Sequence, residues 1–116
     1  MSNKDMSDSK AELPHGTLDL LILQTLHTLG PLHGYGIARR IEQLAGTERL
    51  SQGAIYPALI RLEQQGWIGT QWGTSDTNRR VKIYALTKTG AHQLQVEVRR
   101  WQQATALVAR FLEAKS

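Results

Sequence analysis

A mainly α fold with a small β-hairpin is what this chain predicts, on three observations. Three successive stretches from Thr17 to Gln65 space their apolar residues by three and four. Two short β-branched and aromatic stretches flank a polar loop after Gly66. The last quarter repeats an apolar residue every three or four positions without a break. With 116 residues, 41% of them apolar, there is material for one small core and an appendage rather than two domains.

Taken in order, the opening MSNKDMSDSKAEL, residues 1–13, lacks the apolar run of a signal peptide and predicts a disordered tail. From Thr17, a plausible N-cap, Leu18, Leu21, Ile22, Leu26 and Leu29 mark a first helix that Gly30-Pro31 stops. Its other side carries Leu20 and Leu23, so this helix is either sandwiched in a core or shared with a partner. PLHGYG predicts a turn, and Ile37, Ala38, Ile41 and Leu44 a second helix that shows Arg39 and Arg40 elsewhere and ends near Gly46. The third helix lies in LSQGAIYPALIRLEQQGWI, with Ser51 as its cap and Gly66 as its stop.

After it WIGTQW alternates like a strand, GTSDTNRR is a polar loop, and VKIYAL suits the returning strand, giving a hairpin with a basic shoulder. Thr87 then caps a long helix in which Ala91, Leu94, Val98, Trp101, Thr105, Val108 and Leu112 form a heptad seam. A helix of about 25 residues is ~38 Å long, more than so small a globule needs, so much of its apolar face would be wet in a monomer. Three helices and a hairpin are the order of a winged helix-turn-helix, and the long helix is a natural dimerisation arm. An all-helical bundle has no use for GTQWGTSDTNRRVKIY. The division expected is a tail over 1–13, a winged helix-turn-helix DNA-binding domain over 14–87 and a C-terminal dimerisation helix over 88–116.

Composition narrows the function. A net charge of +4 and a pI near 9.8 point to a polyanionic partner, and the absence of cysteine excludes disulfides and thiolate sites. The longest apolar run, Leu20 to Leu23, is too short to cross a bilayer, which with the missing leader suits a cytoplasmic protein. The histidines His15, His27, His33 and His92 are scattered without metal-ligand spacing; His33 is best read as a satisfied turn residue. No phosphate loop or nucleophile motif is present, so no enzyme, metal or cofactor is expected.

Pro57 poses the sharpest question, because proline inside a helix removes a donor and costs about 3 kcal/mol. At 100° per residue Ile55, Ala58, Leu59 and Leu62 face the core, and Gly53, Pro57, Ile60 and Gln64 lie opposite. Gly53 and Pro57 thus make a slim outer face that lets backbone approach another surface, and DNA is the obvious candidate. Tyr56 and Arg61 flank that stripe and could hold phosphates; the alternatives are a half-buried packing aromatic and a solvated charge. The predicted DNA contacts are Ser51, Gln52, Gly53, Tyr56, Pro57, Ile60 and Arg61 on this helix, with Arg79, Arg80 and Lys82 on the hairpin.

HGYGIARRIEQ, LSQGAIYPALIRLEQQGWI and NRRVKIYALTKTG resemble the signature blocks of PadR-type transcriptional regulators, in the small subfamily with one C-terminal helix, from about Leu13 to Leu112. The Gly-x-x-Tyr-Pro-x-Leu-x-x-Leu-Glu-x-x-Gly-Trp-Ile block is the specific one. The resemblance implies a homodimeric winged-helix repressor of inverted-repeat operators that some members release on binding a small aromatic effector. It places the family's recognition-helix tyrosine at Tyr56, its basic wing at Arg79, Arg80 and Lys82, and a wing-to-helix junction at Tyr84, Leu86, Thr87 and Gly90. Ala54 departs from the usual serine or threonine, and Ile60 from a position that is often polar.

The predicted dimer contacts are Leu20, Leu23, Leu94, Val98, Trp101, Thr105, Val108 and Leu112. Trp101 has two readings, a packing residue at that contact or one wall of a ligand cavity. Against the DNA-binding regulator stand a winged-helix protein-interaction module, kept open by Ile60, and a ligand sensor whose DNA contact is secondary.

Overall fold

The computed structural model describes residues 16–46 and 52–115, of Gln52 the backbone alone. The expected N-terminal tail and the Ser51 cap and contact lie outside the described residues. The elements are α1 (Thr17–Leu29), β1 (Leu32–His33), α2 (Gly34–Ala45), α3 (Gln52–Gln64), β2 (Ile68–Thr74), β3 (Arg80–Leu86) and α4 (Lys88–Glu113). The fold is mainly helical, with a three-stranded antiparallel sheet ordered β1-β3-β2.

Helix α1 is the hub, touching α2, α3, α4 and β3. Ile22, Leu23 and Leu26 are buried, and Leu18, Leu20 and Leu21 pack on the same core, so both of its apolar sides are covered within the chain. Leu23 therefore has no surface left for a partner, which corrects its place among the dimer contacts. Thr17 is not the cap: Gly16 takes that position at φ 87, in the left-handed region that glycine enters without a Cβ clash. Leu29 is the last residue of the helix, as its spacing predicts, and is exposed there.

The PLHGYG stretch is more than a turn. Leu32 and His33 pair with Tyr84 and Ile83, adding a short third strand to the hairpin. His33 also caps α2, its Nδ1 accepting from Gly36 N–H at 3.0 Å. Ile37, Ala38 and Ile41 are buried as the periodicity predicts, but Leu44, at the end of the helix, is exposed.

Helix α3 runs unbroken through Pro57. Ile55, Ala58, Leu59 and Leu62 are fully buried, and Gly53, Pro57, Ile60 and Gln64 are exposed, as the wheel requires. Its exit is a Schellman motif: Trp67 N–H bonds Leu62 O, Gly66 N–H bonds Glu63 O, and Gly66 sits at φ 79. The strands extend past their expected ends to Thr74 and Arg80, leaving a tight tip closed by Ser75 N–H to Arg79 O at 2.8 Å.

The junction to α4 is built from the Thr87-x-x-Gly90 pair. Thr87 Oγ1 accepts from Gly90 N–H at 2.9 Å and donates to Gly66 O at 2.7 Å, tying the helix start to the end of α3. A Cβ on Gly90 would stand 1.8 Å from Trp67 O, so only glycine lets α4 lie this close to the chain entering β2. From there Leu94 is buried and Val98 partly so, while every residue from Arg99 to Lys115 is exposed. The molecule is accordingly elongated, 60 × 36 × 21 Å.

Candidate nucleic-acid interface

Alternation along the β2–β3 ladder sorts the hairpin's side chains onto two faces. Ile68, Thr70, Trp72 and Thr74 share one with their partners Leu86, Tyr84, Lys82 and Arg80. At its base Ile68 and Tyr84 enter the core. Beyond the core, the outer part of this face and the N-terminal ends of α2 and α3 enclose an open cleft of about 820 Å³. Its lining includes His33, Tyr35, Tyr56, Trp72, Tyr84, Arg79, Arg80 and Lys82.

Tyr56 stands half-buried at this cleft. Its ring packs over Gly34, where a Cβ would lie 2.9 Å from Cε1, yet 45% of the residue remains exposed to the cleft. It is a wedged aromatic with an open face. Gly34 is small because the ring needs that space.

The cations fall into two classes. Arg61 Nη2 contacts Asp19 Oδ1 at 2.6 Å, pairing α3 with α1 on the flank away from the cleft. Arg61 thus flanks the stripe as an exposed side chain that already carries a carboxylate partner. Lys82 Nζ lies 3.7 Å from Glu63 Oε1, and Glu63 Oε2 accepts from Thr70 Oγ1 at 3.2 Å, so Glu63 joins α3 to both long strands. Arg79 and Arg80 have no ion pair among the described residues. Exposed pairs such as these are worth about 0–1 kcal/mol, so a phosphate can displace either carboxylate, whereas Arg79 and Arg80 have no such pair to break among the described residues.

Three cations of the described residues lie over aromatic rings. The Arg80 guanidinium carbon stands 4.4 Å from the Trp72 ring centroid, Lys82 Nζ 6.0 Å from that of Tyr84, and Arg39 5.8 Å from that of Tyr35. Arg39 also donates to Tyr35 Oη at 3.1 Å, and the His33 and Tyr35 rings stack 6.3 Å apart. Tyr84 has its pKa raised, first by burial and then by the nearby Glu63 and Tyr56, so it stays a neutral phenol. Among the described residues no group of His, Asp and Glu converges as a metal site, and no helix is long and apolar enough to cross a membrane.

Comparison with known proteins decides the affiliation. Residues 22–96 match the family described as transcriptional regulator PadR-like. The chain belongs to the PadR-like family. Solved PadR-family regulators share the fold. The one from Clostridium difficile is 29% identical, covering 84% of this chain and 99% of its own at a TM-score of 0.72. That from Eggerthella lenta is 27% identical, covering 86% and 85% at 0.75. A curated relative, an uncharacterized 37.1 kDa protein in transposon TN4556 of Streptomyces fradiae, is 38% identical over 68 residues, which are 59% of this chain and only 18% of that protein. The family is one of transcriptional regulators, a class that is generally not enzymatic.

In this PadR-like chain the structure brings Tyr56, Arg79, Arg80 and Lys82 into one cleft, with Gly53, Pro57 and Ile60 on the adjoining outer face of α3. Arg61 is held apart from them by Asp19. Trp72, His33 and Tyr35 line the cleft without having been predicted. Trp72 had a signal: alternation puts it on the same strand face as Ile68, beyond the reach of the core. His33 and Tyr35 had none, because their position depends on the β1–β3 pairing.

Of the predicted dimer contacts, Leu20, Leu23 and Leu94 belong to the chain's own core or pack on it, and Val98 joins them in part. Only Trp101, Thr105, Val108 and Leu112 stand open on α4, with Leu107 and Phe111 beside them.

Proposed function

We propose that this chain is a sequence-specific DNA-binding transcriptional regulator, a homodimeric repressor of an inverted-repeat operator. The observation that carries this reading is the pairing of surfaces at one end of the molecule. The slim outer face of α3 adjoins a wing whose two tip-side arginines have no carboxylate partner among the described residues. Helix α3 offers its N-terminal half to base edges in the major groove, Ile60 can meet thymine methyl groups, and the wing arginines hold neighbouring phosphates. The residues assigned to DNA are Gly53, Tyr56, Pro57, Ile60, Arg79 and Arg80, with Ser51 and Gln52 at the helix start and Lys82 and Arg61 recruited by exchanging their carboxylates.

Dimerisation is supported by the open apolar stretch of α4, where Trp101, Val108, Phe111 and Leu112 would be wet in a single chain. Two copies joined there present two α3 helices to half-sites about one turn, or ~34 Å, apart. In such a dimer Trp101 and its mate offer indole faces to a small planar aromatic effector that releases DNA. The protein acts where the DNA is, in the cytoplasm.

The test is fluorescence anisotropy of the purified chain on the DNA upstream of its own gene against a shuffled control, at two salt concentrations. Tight binding to the native fragment that weakens steeply with salt is expected, since each neutralised phosphate releases counterion. No binding to any DNA at low salt would replace this reading with a protein-interaction role for the same fold.

A further inference from the structure

Trp72 is a large residue in an unusual place. It is 57% exposed, lies outside the core cluster, and sits on the hairpin beyond the point where the sheet stops packing on helices. Its directly opposed residue is Lys82, and Arg80 is the diagonal neighbour on the same face, within reach of a long side chain. Of the three cation–ring contacts in the molecule's described part, Arg80 on Trp72 is the closest, at 4.4 Å.

We propose that Trp72 is a positioning residue of the DNA contact, its indole holding the Arg80 guanidinium in place for a phosphate; this rests on the DNA-binding reading above. The chemistry of the two groups makes the holding and the binding compatible. A guanidinium interacts with a ring through its flat face, while its five N–H donors lie in its plane and point outward from the edge. Arg80 over Trp72 therefore keeps its phosphate-binding edge uncommitted. A carboxylate partner, which Lys82 and Arg61 have, would occupy the donors themselves. The contact also restrains a long, freely rotating side chain before DNA arrives, so less freedom is lost on binding. Arg79, one residue earlier, carries the same charge with no ring contact among the described residues.

The experiment is a double-mutant cycle in the full chain, on the DNA fragment that the wild type binds, with thermal stability measured alongside. Trp72→Ala is expected to weaken binding about three- to five-fold per protomer, the strength of an exposed cation–π contact, and about ten- to twenty-five-fold for a dimer in which both protomers bind. Trp72→Phe restores part of the loss because it keeps a ring. Trp72→Leu keeps apolar bulk without one, so it should match the wild type in Tm and the alanine variant in affinity. In an Arg80→Ala background Trp72→Ala should cost nothing further, whereas in an Arg79→Ala background it should cost the full factor.

An equal loss with and without Arg80, or no loss at all, overturns the proposal and leaves the DNA-binding reading standing. If the wild type binds no DNA, that reading falls and this role with it. Nuclear magnetic resonance of the free protein gives a separate check: the Arg80 side-chain protons should be shifted upfield by the indole and return to ordinary values in Trp72→Ala. Unshifted protons in the wild type would overturn the stack itself.

Discussion

The two ends of α4 carry the same apolar rhythm and meet opposite fates. Gly90 and Leu94 are buried against the chain's own globule, while Trp101, Val108 and Leu112, continuing the seam, are exposed. A heptad pattern therefore reports an apolar stripe but not what covers it. The same division runs through the charges. Arg61 and Lys82 are paired at home with Asp19 and Glu63, and Arg79 and Arg80 have no ion pair among the described residues. What the chain satisfies internally holds the fold together, and what it leaves open is the surface it has to offer.

The largest expected effects lie on the satisfied side. Gly90→Ala forces a methyl group into Trp67 O and should cost about 3 kcal/mol, the upper end for overpacking, by chemical denaturation. Leu94→Ala should cost about 2–4 kcal/mol, but Leu112→Ala almost nothing under conditions where the chain is monomeric. Equal losses at Leu94 and Leu112 would abolish the distinction between the two ends. Next, Val108→Asp with Leu112→Asp should yield monomers in analytical ultracentrifugation that keep the fold and lose at least tenfold in operator affinity, since half-sites no longer bind together. Dimers that survive would place the seam elsewhere.

On the charged surfaces the effects are smaller and differ in kind. Arg79→Ala with Arg80→Ala should lower affinity on every sequence and flatten the salt slope by up to about two per protomer. Arg61→Ala should change the slope less, because Asp19 already balances it in the free protein. A larger slope change at Arg61 than at the wing pair would reverse the assignment of committed and open cations.

Most of the fold was legible because helical periodicity is local. The burial of Ile55, Ala58, Leu59 and Leu62 and the exposure of Gly53, Pro57, Ile60 and Gln64 follow from 100° per residue alone. The Thr87 cap and the Gly66 stop are local as well. What escaped depends on contacts between distant segments. Strand β1 exists only because β3 is there to pair with it, and Leu23 was open to a dimer role because a wheel cannot say that both sides of a helix are covered. Tyr56 and the wing arginines, which resemblance singled out, do line one cleft, but the commitment of Arg61 to Asp19, 42 positions earlier, has no signature in either segment.

The smallest effect tests how far the covered side reaches into the cleft. Tyr84 is buried, and burial first, then Glu63 and Tyr56, raise its pKa above the ordinary 10.0. Near neutral pH the phenol is protonated in both states and its contribution to stability is fully present. As pH rises past about 10 the unfolded chain releases this proton while the folded chain still holds it, so stability falls until the folded value is passed. Tyr84→Phe removes that one proton. Its stability relative to the wild type, by urea denaturation, should therefore improve between about pH 8 and pH 10.5. Glu63→Gln, by removing the neighbouring charge, should weaken the wild type's decline in the same direction by a smaller amount. A constant difference between Tyr84→Phe and wild type across that range would mean that Tyr84 titrates as freely as an exposed tyrosine, and that the cleft's solvent reaches deeper into the base of the wing than its burial implies.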